Sequence, residues 1–338
     1  MTIKIGVIGC GYWGPNIIRN LSQISQVDVS YICDIDENKT NSIKKVYPNI
    51  RSVKDYREIL KDPEVDAVAI VLPVGKHYEV AKEALLNNKH VLIEKPITAS
   101  VKEAEDLIKI ANEKNKIVMV DHTFEYHEGI NKIKEIVDNK DLGDIYYIRA
   151  EWLNLGLLQP DVNVAWDLAA HIISIINYIF NIKALSVSAN FGAYIRKEIP
   201  EVANINIKFP NDINCYLMVS WLEPKKARKI TIVGSKKLLI YDLTNEEEQV
   251  KIYDKGVDIS KEINDIRQLK INYRYGDIYS PNIKAIEPLK NMCLHFTESI
   301  INNKKPRSDG ESGLKVVKVL EAINSSLENN GKEVFLND

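Results

Sequence analysis

Asp167 and His171 stand four residues apart in the stretch Trp166-Asp167-Leu168-Ala169-Ala170-His171. On a helix that separation puts both side chains on one face. The residues that follow, Ile172, Ile175, Ile176 and Ile179, mark the same helix as otherwise buried. A carboxylate and an imidazole on an apolar helix must be satisfied by partners or line a cavity. A second stretch, Glu94-Lys95-Pro96, comes directly after the apolar run 90–93. Imidazole titrates near neutrality and can take a proton from a hydroxyl. A lysine ammonium can polarise that oxygen and stabilise negative charge developing on it. Taken singly, each residue has a plainer reading: a hydrogen-bonded core histidine, or a lysine in a loop.

A third stretch, Gly9-Cys10-Gly11-Tyr12-Trp13-Gly14-Pro15, follows the apolar run 3–8 and opens a helical pattern with Ile17, Ile18 and Leu21. GxGxxG by itself is weak; between a strand and a helix it has a mechanism. The first glycine makes the tight turn, the second lets backbone approach a pyrophosphate, and the third allows close helix–strand packing. The helix start offers free amides and positive partial charge to phosphates, and a first-turn proline gives up an amide the helix would not use. The next apolar run ends at Asp34, twenty residues beyond Gly14. A carboxylate there can accept from both ribose hydroxyls and repels a 2′-phosphate, which favours NAD over NADP.

These residues need a scaffold, and the first 120 or so positions supply an alternation. Apolar runs at 3–8, 27–33, 67–72, 90–93 and 117–120 are separated by helical patterns at 13–24, 37–46, 78–87 and 101–113. Buried strands alternating with helices predict a doubly wound parallel sheet, with ligands at the strands' C-terminal ends, where Glu94 and Lys95 fall. The rhythm then changes. A helix at 128–138, a strand at 145–153 and a helix at 166–180 precede strand-like runs at 185–191, 203–209, 214–221, 229–233, 237–241 and 249–253. Turns such as Pro210-Asn211-Asp212 and Gly234-Ser235 separate them, predicting a large, mostly antiparallel open sheet. Helices at 288–302 and 313–329 close the chain, and 255–285 lacks clear periodicity. The expected fold class is α/β: a Rossmann domain over 1–121, then an α+β domain over 122–338 for substrate binding and oligomerisation, with terminal helices able to pack back on the first.

Composition excludes several classes. Lys and Arg total 45 against 47 Asp and Glu, so no charge bias advertises a nucleic-acid partner. The run Lys225-Lys226-Ala227-Arg228-Lys229 reads as solvated turn residues. No stretch approaches the roughly 20 apolar residues of a membrane span. The opening Met1-Thr2-Ile3-Lys4-Ile5-Gly6 enters a strand without a signal-peptide pattern, and Cys10, Cys33, Cys215 and Cys293 show no metal-type pairing. A cytoplasmic location with reduced thiols is expected. His122, Glu125 and His127 match no standard metal spacing, so no metal is expected. Nucleophilic catalysis has no support, since no nucleophile elbow is present.

In order, Gly9 to Gly14, Pro73 with His77, Glu94-Lys95-Pro96, the Asp167/His171 pair and Pro306-Arg307-Ser308-Asp309-Gly310-Glu311 resemble the Gfo/Idh/MocA oxidoreductases, over essentially the whole chain. The resemblance implies hydride transfer between a sugar or polyol carbon and the nicotinamide of NAD. It implies that Lys95 and His171 flank the reacting hydroxyl, with Asp167 orienting the substrate or the histidine. Which of Lys95 and His171 is the base stays open, with His171 the favoured choice. The cofactor-binding set so implied is Gly9, Gly11, Tyr12, Trp13, Gly14, Asp34, Leu72, Pro73, His77, Glu94, Lys95, Pro96 and Trp166.

The stretches 122–126, 153–156, 159–163 and Tyr273-Arg274-Tyr275-Gly276-Asp277 are similar to a subgroup that includes UDP-N-acetylglucosamine 3-dehydrogenases. That similarity implies a sugar-nucleotide substrate, a 3-keto product and an aminotransferase as pathway partner. Asn154, Gln159 and Asn163 are its candidate sugar contacts, beside Lys95, Asp167 and His171. Arg274 and Tyr275 are either nucleotide contacts or part of an intersubunit arm. One departure is that Ala170 and Ile172 flank the histidine where many relatives carry proline and aspartate. Rival readings are a UDP-N-acetylglucosaminuronate 3-dehydrogenase, whose carboxylate substrate calls for an extra cation, an inositol or free-sugar dehydrogenase, and a non-catalytic NAD-binding sensor. A homodimer or homotetramer is expected through the open sheet.

Overall fold

The computed structural model describes residues 2–259 and 271–336. Six short strands rich in Val, Ile and Ala form a parallel sheet: β1 (Ile3–Ile8), β2 (Val27–Cys33), β3 (Arg51–Val53), β4 (Ala67–Ile70), β5 (His90–Glu94) and β6 (Val118–Asp121). Their order is β3-β2-β1-β4-β5-β6. Neighbouring β1 and β4 are connected outward in opposite directions, so a crevice opens beyond their C-terminal ends. Helices α1 (Gly14–Ser22), α2 (Glu37–Val46), α3 (Tyr56–Lys61), α4 (His77–Leu86) and α5 (Val101–Glu113) make the connections. Strands β1, β4, β5 and β6 are buried almost throughout, as sheets covered on both faces require.

The chain divides into two compact units, 1–127 with 286–318 and 128–285 with 319–338. The expected split at 121/122 is therefore not a simple one, because residues 286–318 return to the first unit. The reason is a shared core. The helix Pro288–Ile301 puts Leu289, Met292, Cys293 and Phe296 into the same cluster as Ile3, Ile5 and Ile17. Arg19 of α1 holds the start of that helix through Glu287, with Nη1 and Nη2 donating to the two carboxylate oxygens at 3.0 and 2.6 Å. Downstream, Val120 donates its amide to the carbonyl of Ser308 at 2.7 Å, and the Ser308 hydroxyl donates back to the Val120 carbonyl at 2.7 Å.

The second unit is built on a nine-stranded sheet. Its strands are β7 (Ile145–Leu155), β8 (Ser186–Gly192), β9 (Val202–Lys208), β10 (Asn214–Ser220), β11 (Leu222–Gly234), β12 (Leu238–Asp242), β13 (Val250–Ile259), β14 (Ile271–Tyr279) and β15 (Val334–Phe335). They lie in the order β14-β13-β12-β11-β7-β10-β9-β8-β15. All pairs are antiparallel except β7 with β10. Alternation along β7 buries Ile148, Ala150 and Trp152 on one face, while Tyr147 on the other is exposed and meets Tyr216 at 6.3 Å between ring centroids. Helices α6 (Glu128–Asp138) and α7 (Ala170–Phe180) belong to this unit. Much of the region 255–285, which lacks sequence periodicity, is strand: β13 and β14 form an antiparallel pair, and 260–270 fall outside the described residues. The run at 225–229 is also strand, inside β11, and not a solvated turn.

Phe296 is fully buried in the first unit's core. Phe296→Ala is expected to lower stability by about 3–5 kcal/mol. Denaturant unfolding followed by far-UV circular dichroism measures it; a loss within error of zero would show that 286–318 is not part of that core.

Candidate active site

In the first unit, the turn after β1 is fixed by steric exclusion. Gly9 has φ +102°, and a Cβ there would stand 2.1 Å from the Val71 carbonyl oxygen. A Cβ on Gly14 would stand 2.3 Å from the carbonyl oxygen of Gly9. At Gly11 the situation reverses, since a Cβ would meet nothing within 4 Å. Helix α1 also starts without a side-chain cap, whereas Asp36, Asp55 and Ser100 cap α2, α3 and α5. Uncapped amides and open space before them make an anion cradle, and these residues fit a dinucleotide's pyrophosphate. Tyr12 and Trp13, 76% and 49% exposed, form an edge-to-face pair at 5.4 Å beside the cradle.

Asp34 sits at the end of β2 with both carboxylate oxygens oriented by backbone. The Cys10 amide donates to Oδ2 at 2.8 Å and the Asp36 amide to Oδ1 at 2.9 Å, with Lys39 Nζ at 3.7 Å from Oδ1. Each oxygen keeps a lone pair for a ribose hydroxyl.

Strands β5 and β6 end side by side, Glu94 in register with Asp121. The loop after β5 carries Lys95 and a cis peptide to Pro96. Asp121 is buried and accepts from the Thr123 hydroxyl. Burial raises its pKa, opposed by the Thr123 bonds and the Lys95 charge. His122, only 1% exposed, has no hydrogen-bond partner at either ring nitrogen among the described residues. Burial, reinforced by the Lys95 charge, pushes its pKa down to about 3, so it is neutral in the fold. A neutral imidazole beside an ammonium leaves that cation the local source of positive charge.

In the second unit, the expected helix from 166 begins instead as a π-helical turn, Ala165–Ala169, that passes into α7. Between residues 164 and 176 only Asp167 and His171 are not buried. The indole N–H of Trp221 donates to Asp167 Oδ2 at 2.9 Å. The Trp152 ring lies 6.0 Å from the His171 ring, tilted by 32°. The two polar side chains are thus the accessible part of an apolar segment, each set against a buried indole. Wide π turns of this kind recur where a helix must present side chains for function.

The sequence matches the description "Oxidoreductase family, NAD-binding Rossmann fold" over residues 3–122 and "GFO/IDH/MocA C-terminal domain" over 130–240. The chain belongs to the GFO/IDH/MocA oxidoreductase family. It is 27% identical to the uncharacterized oxidoreductase sll0816 of Synechocystis over 71% of this chain and 73% of that one. To the myo-inositol 2-dehydrogenase of Thermotoga maritima it is 23% identical over 96% of both. Its fold is like that of the UDP-N-acetylglucosamine 3-dehydrogenase GnnA from Acidithiobacillus ferrooxidans, with a TM-score of 0.82 at 23% identity over 97% of this chain and 98% of that one.

Within this GFO/IDH/MocA chain, several expected contacts are engaged by the protein itself. His77, only 1% exposed, faces the carbonyl oxygens of Pro96 at 2.9 Å and Leu72 at 2.8 Å through its two ring nitrogens. It is a strut between the ends of β4 and β5, with no ring nitrogen left for the cofactor. Leu72 and the exposed Pro73 lie in the β4 loop it ties down. Asn163 accepts from the amides of Ala165 and Trp166 and donates to Asn324, so it caps the π turn and does not present its amide to a sugar. Asn154 Oδ1 accepts from Arg228, and Gln159 meets Arg196 through its backbone carbonyl, which accepts, and not through its side-chain amide. Trp166 is buried within the second unit, its indole N–H without an acceptor among the described residues. Arg274 and Tyr275 lie on β14, at the end of the sheet and four places from β7. Arg274 is held there by Asp254 and the Lys236 carbonyl, so this chain does not gather the two residues with Asp167 and His171. Residues the sequence reading missed are Asp121, Trp152, Trp221 and Arg228; only their place in the fold reveals them.

Gly11→Val is expected to weaken NAD binding about tenfold or more, by filling the cradle, with little change in the thermal midpoint of the free protein. Calorimetric titration beside a melting curve checks both. For His122, the unfolded chain titrates at its ordinary value and the fold only near 3. Its contribution to stability is therefore complete above about pH 6.5 and falls by about 1.4 kcal/mol per pH unit below it. His122→Gln is expected to lose about 2 kcal/mol less stability than the unsubstituted protein between pH 7 and 5, read from urea unfolding at both pH values.

Proposed function

We propose that this chain oxidises a secondary alcohol of a sugar nucleotide, with UDP-N-acetylglucosamine, taken to its 3-keto form, as the leading substrate. The observation that carries the reading is the pair Asp167 and His171, the accessible residues of a buried helical stretch. Bound NAD supplies the hydride acceptor. His171 takes the hydroxyl proton, Lys95 stabilises negative charge on that oxygen, and Asp167, fixed by Trp221, orients the substrate or the imidazole. The likeness in fold to a UDP-N-acetylglucosamine 3-dehydrogenase supports the substrate assignment. An aminotransferase that converts the 3-keto product to an amino sugar is the expected pathway partner. Reduced cytoplasmic surroundings suit the four free, buried thiols. Self-association through the tyrosine-bearing face of the nine-stranded sheet is part of the same reading.

Inositol oxidation is the second reading, favoured by the similarity along the full chain to a myo-inositol 2-dehydrogenase. The test is incubation with NAD and, separately, UDP-N-acetylglucosamine, its uronate, myo-inositol and glucose, with 2-oxoglutarate or an aminotransferase present to draw the equilibrium forward. Loss of two hydrogens from UDP-N-acetylglucosamine, seen by mass spectrometry, is expected, with kcat/KM lowered about 100-fold or more in Lys95→Ala and in His171→Ala. Turnover of myo-inositol or glucose alone would remove the sugar-nucleotide assignment. Binding of NAD without any turnover would favour a sensor.

A further inference from the structure

The second unit holds a guanidinium that the reaction above leaves unused. Arg228 of β11 pairs with Trp152 of β7, so both side chains leave the sheet on the same side. Its Cζ lies 4.7 Å from the Trp152 ring centroid, and that ring in turn lies 6.0 Å from His171. Just before it the pairing with β7 breaks between Leu222 and Ala227, an irregularity of the kind that re-aims a side chain.

Its protein partners are all neutral. Nη2 donates to Asn154 Oδ1 at 2.5 Å, and Nη1 to the carbonyls of Leu153 and Ala227 at 3.4 and 3.3 Å. Among the described residues Arg228 forms no ion pair, and its Nε–H donates to no protein atom. Asp167, already the acceptor for Trp221, attracts the cation. Burial pushes the guanidinium pKa down to about 10, against that attraction. Arg196 makes the contrast. It lies over Trp221 at 5.7 Å, but its Nε stands 3.5 Å from the buried Glu201 carboxylate, which neutralises it. Of these two guanidinium–indole pairs, only that of Arg196 has a carboxylate within salt-bridge distance among the described residues.

We propose that Arg228, aimed by Asn154 and Trp152, is the subsite for an oxyanion carried by the substrate, a phosphate or a carboxylate. A planar guanidinium with donors to spare suits such a group, and a partly desolvated one discriminates strongly against neutral ligands. The proposal rests on the reading that Asp167 and His171 face the substrate. It narrows the substrate class: a sugar nucleotide or a uronate gives Arg228 an ion pair, whereas inositol or glucose does not.

The test compares the full chain, Arg228→Gln and Arg228→Lys, with NAD present, by calorimetric titration of UDP, glucuronate and myo-inositol. The charge-conserving variant guards against a fold defect, and melting curves accompany both. In Arg228→Gln the Kd for UDP or glucuronate, relative to that for myo-inositol, is expected to rise about 30-fold, and in Arg228→Lys by less. Loss confined to UDP identifies a phosphate subsite; loss confined to glucuronate identifies a carboxylate subsite. Equal loss for charged and neutral ligands, or no loss for either anion, overturns the proposal. If UDP-N-acetylglucosamine turns over equally well in Arg228→Gln, the subsite falls and the reaction stands. If no sugar is oxidised but the anion selectivity vanishes in Arg228→Gln, the reaction falls and the subsite stands.

Discussion

The backbone of Gly14 is pressed against the carbonyl of Gly9, and Gly9 against that of Val71, with room at both for hydrogen alone. This contact sets where α1 begins, and so where its uncapped amides point. It also binds the end of β1 to the end of β4, the place where the order of the parallel sheet turns. The neighbouring strand ends inherit their positions from it. Asp34 is aligned by the Cys10 amide of the same turn, and His77 ties the loop after β4 to the loop carrying Lys95. The glycine cradle and the Lys95 ammonium thus share one backbone constraint, achieved by omitting side chains.

In the second unit the governing problem is the opposite one, to keep polar groups on a segment that is otherwise buried. Asp167 is held by an indole N–H, His171 lies against a second indole, and Asn163 closes the amides of the π turn that carries them. Indoles suit this duty because they exclude water over a wide area yet offer one directed donor. Arg228, set over the Trp152 ring, adds positive charge without opening the core to solvent, whereas Arg196, over the Trp221 ring, is matched by Glu201.

Where a segment carries a regular apolar stripe its residues betray it. β2, α2, α5 and α6 fall where hydrophobic patterning puts them, and the glycine loop, Asp34, Lys95 and the Asp167/His171 pair are each visible as motifs. Elements that owe their existence to a neighbour are not visible. β3 is three mostly exposed residues held by pairing with β2, and β14 is an exposed strand held by β13. The same blindness applied to Arg228. Among Lys225, Lys226 and Lys229 it looks like one more solvated charge, and only the strand register puts it opposite Trp152. Asn163 and His77 misled in the other direction, since a polar residue beside a motif looks like a ligand contact when it is serving the backbone.

The return of residues 286–318 to the first unit bears on how the chain is made. A nascent chain leaving the ribosome presents the parallel sheet early, yet the helix Pro288–Ile301 and the Ser308 strand-edge contact arrive only after eight strands of the nine-stranded sheet, β7 to β14, have emerged. Domains usually fold as units in order of synthesis. Here the unit begun first is finished late, and its apolar α1 surface waits uncovered during translation of the intervening segment. The growing chain therefore has a built-in interval in which a chaperone, or the same surface on a neighbouring nascent chain, competes for the place of that helix.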